Sequence, residues 1–95
     1  MDLEELRALL AVADTGSFLT AAKSLRLSRA TLRRRIDQLE ARAGVLLVDR
    51  TRVGVTLTEA GSVLAARGRL MVQEVSALIQ SVRAVGVGAM ILRSR

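Results

Sequence analysis

Ninety-five residues, 51% of them hydrophobic and only one aromatic (Phe18), make one small domain with a core of Leu, Val, Ile and Ala, near the lower limit for a self-sufficient interior. The absence of Cys and His removes disulfides, thiolate ligands, imidazole bases and the commonest metal ligand, so no enzyme, metal site or cofactor is expected. The formal net charge of +6 lies entirely between Lys23 and Arg52, where Lys23, Arg26, Arg29, Arg33, Arg34, Arg35, Arg42, Arg50 and Arg52 face only Asp37, Glu40 and Asp49. A basic segment in an otherwise neutral chain indicates a polyanionic partner, and arginine forks suit phosphate and guanine. A merely solvated basic face is the plainer alternative. With no uninterrupted run of about eighteen apolar residues and no signal-peptide pattern at the start, a cytosolic protein without a membrane segment is expected.

Leu3, Leu6, Leu10 and Ala13 recur at helical spacing, widened by Leu9, with Glu4, Glu5 and Arg7 facing away. Gly16 ends this first helix and Ser17 caps the next, a short one carried by Phe18, Ala21, Ala22 and Leu25. Ser28 caps a third helix in which Leu32, Ile36, Leu39 and Ala43 form the inner stripe. That phase leaves Ala30, Arg34 and Asp37 on the opposite side with Arg33 beside them, and turns Arg35 toward the core side as a surface or ion-pair residue rather than a reader. Gly44 closes the helix. Val45 to Val48, a polar turn from Asp49 to Gly54, and Val55 to Leu57 read as a two-stranded hairpin, after which Thr58 caps a fourth helix with Glu59 in its first turn.

In the fourth helix Leu64, Gly68, Met71, Val75, Leu78, Val82 and Val85 alternate steps of four and three, while Val63, Leu70, Val72 and Ile79 fall outside the seam. Two apolar faces on so long a helix exceed what a small body can cover, which points to a dimer interface at Leu64, Met71, Val75, Leu78, Val82 and Val85. Gly86 and Gly88 are expected to break the helix, leaving residues 86–95 as a tail or as the start of a further domain, with Ala89 to Leu92 readable as a short strand.

The fold expected is therefore mainly α, a winged helix-turn-helix over residues 1–58 followed by a dimerisation helix over 59–85. In this geometry the third helix, about residues 28–43, enters the major groove and the wing lies along the backbone or minor groove. Arg33 and Arg34 are the base-reading candidates. Arg29 reaches a base or a phosphate, Ser17, Thr20, Ser28 and Thr31 offer hydroxyls to phosphate, and Lys23, Arg50 and Arg52 are phosphate contacts that position without specifying sequence. Arg26 and Arg42 have no assigned role. A protein-interaction module in which the arginines only solubilise the chain is the competing class, and RNA binding is weaker because the aromatic platforms usual for single strands are absent.

The stretch Ser17-Phe18 through Ala21-Ala22 to Leu25, then Ser28 to Leu39-Glu40, Gly44-Val45 to Leu47, Arg50-Thr51, and Gly54 with Leu57-Thr58-Glu59-Ala60-Gly61, resembles the N-terminal domain of LysR-type transcriptional regulators. The resemblance covers Leu3 to about Val85. It implies a bacterial, cytoplasmic, nucleoid-associated regulator that binds an imperfect inverted repeat in double-stranded DNA as a homodimer, often a tetramer at full length. A small-molecule inducer enters only with an effector domain resembling periplasmic binding proteins. Ser28 and Arg34 match the family's DNA-contacting positions. Where the family commonly has Ser-Gln-Pro, this chain has Ser28-Arg29-Ala30; Arg33 replaces a Ser or Thr, and Val53 replaces the wing Arg, with Arg52 beside it.

Overall fold

The computed structural model describes residues 1–93, arranged as α1 (Leu3–Thr15), α2 (Phe18–Ser24), α3 (Arg29–Ala43), β1 (Val48–Thr51), β2 (Gly54–Leu57) and α4 (Glu59–Arg93). Each helix starts at a side chain that accepts from an otherwise orphaned amide. Asp2 accepts from Glu5, Ser17 from Thr20, Ser28 from Thr31 and Thr58 from Gly61, at 2.8, 3.2, 3.1 and 3.0 Å. Gly16 and Gly44 close α1 and α3 in the left-handed conformation, at φ 68° and 74°. The α2 terminus is closed without glycine: Arg26 itself adopts φ 56°, and the Leu27 amide donates back to the Ala22 carbonyl at 2.9 Å.

Helix α1 is the hub, packed by α2, α3, α4 and β2. That position explains two departures from its simple stripe. Neighbours on several sides bury Ala8 and Val12 as well as Leu6, Leu9 and Leu10, whereas Ala13 projects beyond them and is exposed. Glu5, expected to face away, is instead 1% exposed. Its Oε1 lies 3.3 Å from Arg42 Nε, an ion pair without hydrogen-bond alignment. Arg42 thereby acquires a structural role. On α3, Leu32, Ile36 and Leu39 are sealed inside as the spacing requires, but Ala43 lies past the edge of the core and is exposed.

The wing begins later than the apolar run suggested. Val45 and Leu46 are exposed, Leu47 is buried outside the ladder, and only Val48 belongs to β1, paired with Leu57 in an antiparallel register that ends at Thr51 opposite Gly54. The reason is where the backbone groups of this segment go. Glu40 Oε2 accepts from the Leu47 and Val48 amides at 2.7 and 3.4 Å, while Thr58 donates its hydroxyl to the Leu46 carbonyl and its amide to the Leu47 carbonyl. These groups are satisfied by α3 and by the start of α4 and need no strand partner. The other end of the wing is pinned to the α1–α2 junction, because the Val55 amide donates to the Gly16 carbonyl at 3.0 Å. Gly54, at φ 147°, is required there: a Cβ would stand 2.7 Å from the same carbonyl oxygen.

Helix α4 docks by small residues. Gly61 rests on the Leu47 backbone, Gly68 on the Leu6 side chain, and Ala65 is buried between them. Leu64 and Val72 pack partly against the same core, so Leu64 serves its own domain and Val72 belongs to the docking face. Beyond Val75 every described side chain is exposed. The helix does not break at Gly86 and Gly88 and forms no strand at Ala89 to Leu92; it runs on to Arg93. Among the described residues the sheet has only β1 and β2, so a strand here would leave its backbone unpaired, while a helix satisfies itself at a cost of about 1 kcal/mol per glycine. The last two residues of the expected tail lie outside the described residues. With 35 residues, α4 is roughly 52 Å long at 1.5 Å per residue. By length and composition alone, Glu59–Met90 would suffice to cross a membrane, although none of its most apolar window is buried.

Two stability predictions follow from these contacts. Gly61→Ala drives a methyl into the Leu47 backbone and should lower the urea midpoint severely, whereas Gly86→Ala, with nothing within 4 Å, should be neutral or stabilising. Arg42→Ala strips the buried Glu5 of its cation and should cost about 1–3 kcal/mol in denaturant unfolding, against less than about 0.5 kcal/mol for Arg34→Ala, which breaks no ion pair.

Candidate nucleic-acid interface

The burial of Leu32, Ile36 and Leu39 settles which way the arginines of α3 point. Arg33 and Arg34 are exposed; Arg35 turns back and donates to Glu4 Oε2 of α1 at 3.1 Å. Four arginines of the described residues are engaged by carboxylates: Arg35 with Glu4, Arg42 with Glu5, Arg50 with Asp37 and Arg69 with Asp14. Lys23, Arg26, Arg29, Arg33, Arg34 and Arg52 make no salt bridge among the described residues. Within the basic segment the unpaired charge thus lies on α2, the turn after it, α3 and the wing, while Arg7 on α1 and Arg67 and Arg83 on α4 are unpaired elsewhere among the described residues; the arginines that tie α1 to α3 and α4 are neutralised.

An open groove runs between the start of α2, the first turns of α3 and the wing. Ser17, Phe18, Arg29, Arg33, Arg50 and Arg52 all line it, together with the turn residues Val53 and Gly54. It brings together six residues from three segments up to 35 positions apart in the chain. At its centre is the Phe18 ring, half-buried, with the guanidinium carbons of Arg33 and Arg50 over it at 6.0 and 5.3 Å from the centroid. Such distances are those of cation–π contacts. Arg50 is also 3.9 Å from Asp37 on α3, which ties the wing to the helix.

The other predicted residues sit around this groove rather than in it. Thr20, Lys23, Ser28 and Arg34 are exposed and Thr31 is half-buried. The hydroxyls are partly occupied: Ser17 and Ser28 accept from helix amides, and Ser28 donates to Thr31 Oγ1 at 2.9 Å. At the wing tip the Thr51 hydroxyl donates to the Gly54 carbonyl at 2.9 Å, closing a turn that carries Arg52 and holds Val53 at 98% exposure. The sequence pattern used Phe18 only as part of the apolar spacing of α2 and did not find its position under two arginines. Its position directly after a helix cap, as the sole aromatic of a basic segment, was the available signal. Nothing in the spacing marked Glu40 as the clamp on the wing.

Residues 3–62 match the family model described as bacterial regulatory helix-turn-helix protein, lysR family. The chain is 46% identical over 69 residues to the HTH-type transcriptional activator AllS of Klebsiella pneumoniae, covering 73% of this chain and 26% of that protein. It is 41% identical over 78 residues to the HTH-type transcriptional regulator ClcR of Pseudomonas putida, covering 80% and 26%. The chain therefore spans about a quarter of the length of these relatives. Among solved structures, it resembles the CbnR_DBD–DNA complex with a TM-score of 0.84 and 31% identity, covering 90% of this chain and 99% of that one. The BenM_DBD/catB site 1 DNA complex gives a TM-score of 0.87 and 27% identity, covering 90% and 96%. The helices, the wing and the matched residues agree, and the chain belongs to the lysR family of bacterial regulatory helix-turn-helix proteins.

Proposed function

We propose that this chain binds specific sequences in double-stranded DNA as a regulator of bacterial transcription, acting in the cytoplasm, with α3 in the major groove and the β1–β2 wing along the backbone or minor groove. The observation that carries the reading is the partition of arginines: Arg29, Arg33 and Arg52 line one groove and Arg34 flanks it, all exposed and without a carboxylate partner among the described residues, while the sealed stripe of α3 faces the core. Structures of family members bound to DNA support it. Arg33 and Arg34 read bases. Arg29 contacts a base or a phosphate, and Ser17, Thr20, Lys23, Ser28, Thr31, Arg50 and Arg52 contact the sugar–phosphate backbone.

The distal part of α4 pairs with a second copy. Met71, Leu78, Val82 and Val85 are 58, 61, 64 and 75% exposed, and Val75 stands at the margin of the domain, so an apolar seam continues where the domain's own core ends. Off the seam the same stretch carries Gln73, Glu74, Gln80 and Arg83 beside the apolar Ala77, Ile79 and Ala84. A helix pair in water leaves these four polar side chains hydrated, whereas a membrane span would desolvate them, Glu74 and Arg83 among them. A dimer presents two α3 helices and calls for an inverted-repeat target. Leu64 is left out of this interface because it packs inward.

Selection of bound sequences from a random duplex pool tests the first part. On the selected duplex, Arg33→Ala or Arg34→Ala should cost about 1–3 kcal/mol and relax specificity, while Arg52→Ala should weaken selected and random duplexes alike and reduce the salt slope by about 1. Absence of duplex binding at low salt would instead favour a protein-interaction module. Light scattering at micromolar concentration tests the second part. A dimer mass is expected, with Leu78→Glu shifting it to a monomer; a monomer in the unsubstituted chain refutes the seam.

A further inference from the structure

We infer that Phe18 is a specificity-positioning residue, whose ring presets the Arg33 guanidinium to read a guanine while the same ring and Asp37 hold Arg50 back for the DNA backbone. The inference deepens the DNA-binding reading and rests on it.

Phe18 opens α2 directly after the Ser17 cap, which sets its ring in the groove between α3 and the wing. Arg33 arrives from α3 and Arg50 from β1, each with its guanidinium carbon over that ring, at 6.0 and 5.3 Å. Two like charges sharing one ring repel, and the arrangement holds because one of them is compensated: Asp37 Oδ1 is 3.9 Å from Arg50 Nη2. Asp37 stands one helical turn after Arg33, at the spacing of an intrahelical ion pair, yet it pairs across to the wing. Arg33 is thus restrained by the ring while its N–H fork has no carboxylate to satisfy it. A guanidinium resting over an aromatic face keeps its donors in its own plane, directed away from the ring, and those donors match guanine O6 and N7. Restraint before binding lowers the ordering cost of a long side chain, and this favours the correctly placed base over any phosphate. Arg50, engaged on two sides, is left with charge but little freedom to search for a base edge.

The test uses the fact that the chain contains one phenylalanine, so ring-fluorinated phenylalanine incorporated biosynthetically changes this ring alone, withdrawing negative charge from its face at nearly constant shape. The probes are the duplex that the full chain selects from a random pool, the same duplex with each guanine in turn replaced by 7-deazaguanine, and a random duplex of equal length. Trifluorination should weaken binding to the selected duplex about three- to tenfold and to the random duplex less than about twofold. One 7-deazaguanine position should lose its penalty in the Arg33→Ala chain, and fluorination should have no further effect there, since both changes remove the same contact. Equal weakening on both duplexes, no effect of fluorination, or penalties of fluorination and Arg33→Ala that simply add would each overturn the inference while leaving DNA binding intact. Absence of binding to any duplex at low salt overturns the parent reading instead.

Discussion

Leu32, Ile36 and Leu39, sealed inside the domain, set the rotational phase of α3, and the rest of the molecule depends on that phase. Each buried side chain of this size contributes about 1.5–3 kcal/mol relative to exposure, so turning the helix by one residue, about 100°, would expose the stripe and bury guanidinium groups in its place. No surface interaction of Arg33 or Arg34 competes with that cost. The outward direction of the arginines is therefore a consequence of core packing, and it exists before any nucleic acid arrives.

Around that axis the structure sorts equal charges into different tasks. Arg35, Arg42 and Arg69 meet acids on α1 and bind α3 and α4 to it. The wing is held by polar contacts at both ends: Glu40 and Thr58 satisfy the backbone before β1, and Gly16 accepts from Val55 on β2. Arg50 and Asp37 add a side-chain tie across the top of the groove. The wing is thereby tied to α3 and to the α1–α2 junction, and the two elements line one groove.

Helix α4 changes character along its length. Its first four turns are built of Gly61, Leu64, Ala65, Gly68 and Val72, sizes that let the helix lie close to Leu47 and Leu6. Past Val75 the apolar residues continue with no domain beneath them. A regular apolar repeat in the sequence spans both regions without marking the boundary, because heptad spacing describes one face of a helix and not what lies against it. For that reason Leu64 read as part of an outer seam and Val72 as outside it, whereas both pack partly against the domain's own core. Gly86 and Gly88 misled in a different way: glycine lowers helix propensity, but a terminator also needs an alternative home for the backbone, and none exists among the described residues.

The sequence by itself determined the element order, the helix caps at Ser17, Ser28 and Thr58, the terminating glycines Gly16 and Gly44, the outward phase of Arg33 and Arg34, and the inward lean of Arg35. These are local properties, set by a cap's reach of three residues or by a helix period of 3.6. Only the tertiary structure decided that Glu5 is buried with Arg42, that Glu40 clamps the wing, that Val45 to Leu47 forgo the strand, and that Phe18 lies beneath Arg33 and Arg50. Each joins residues from different elements, and where such residues meet depends on how whole helices stack on α1, which no single segment's pattern contains.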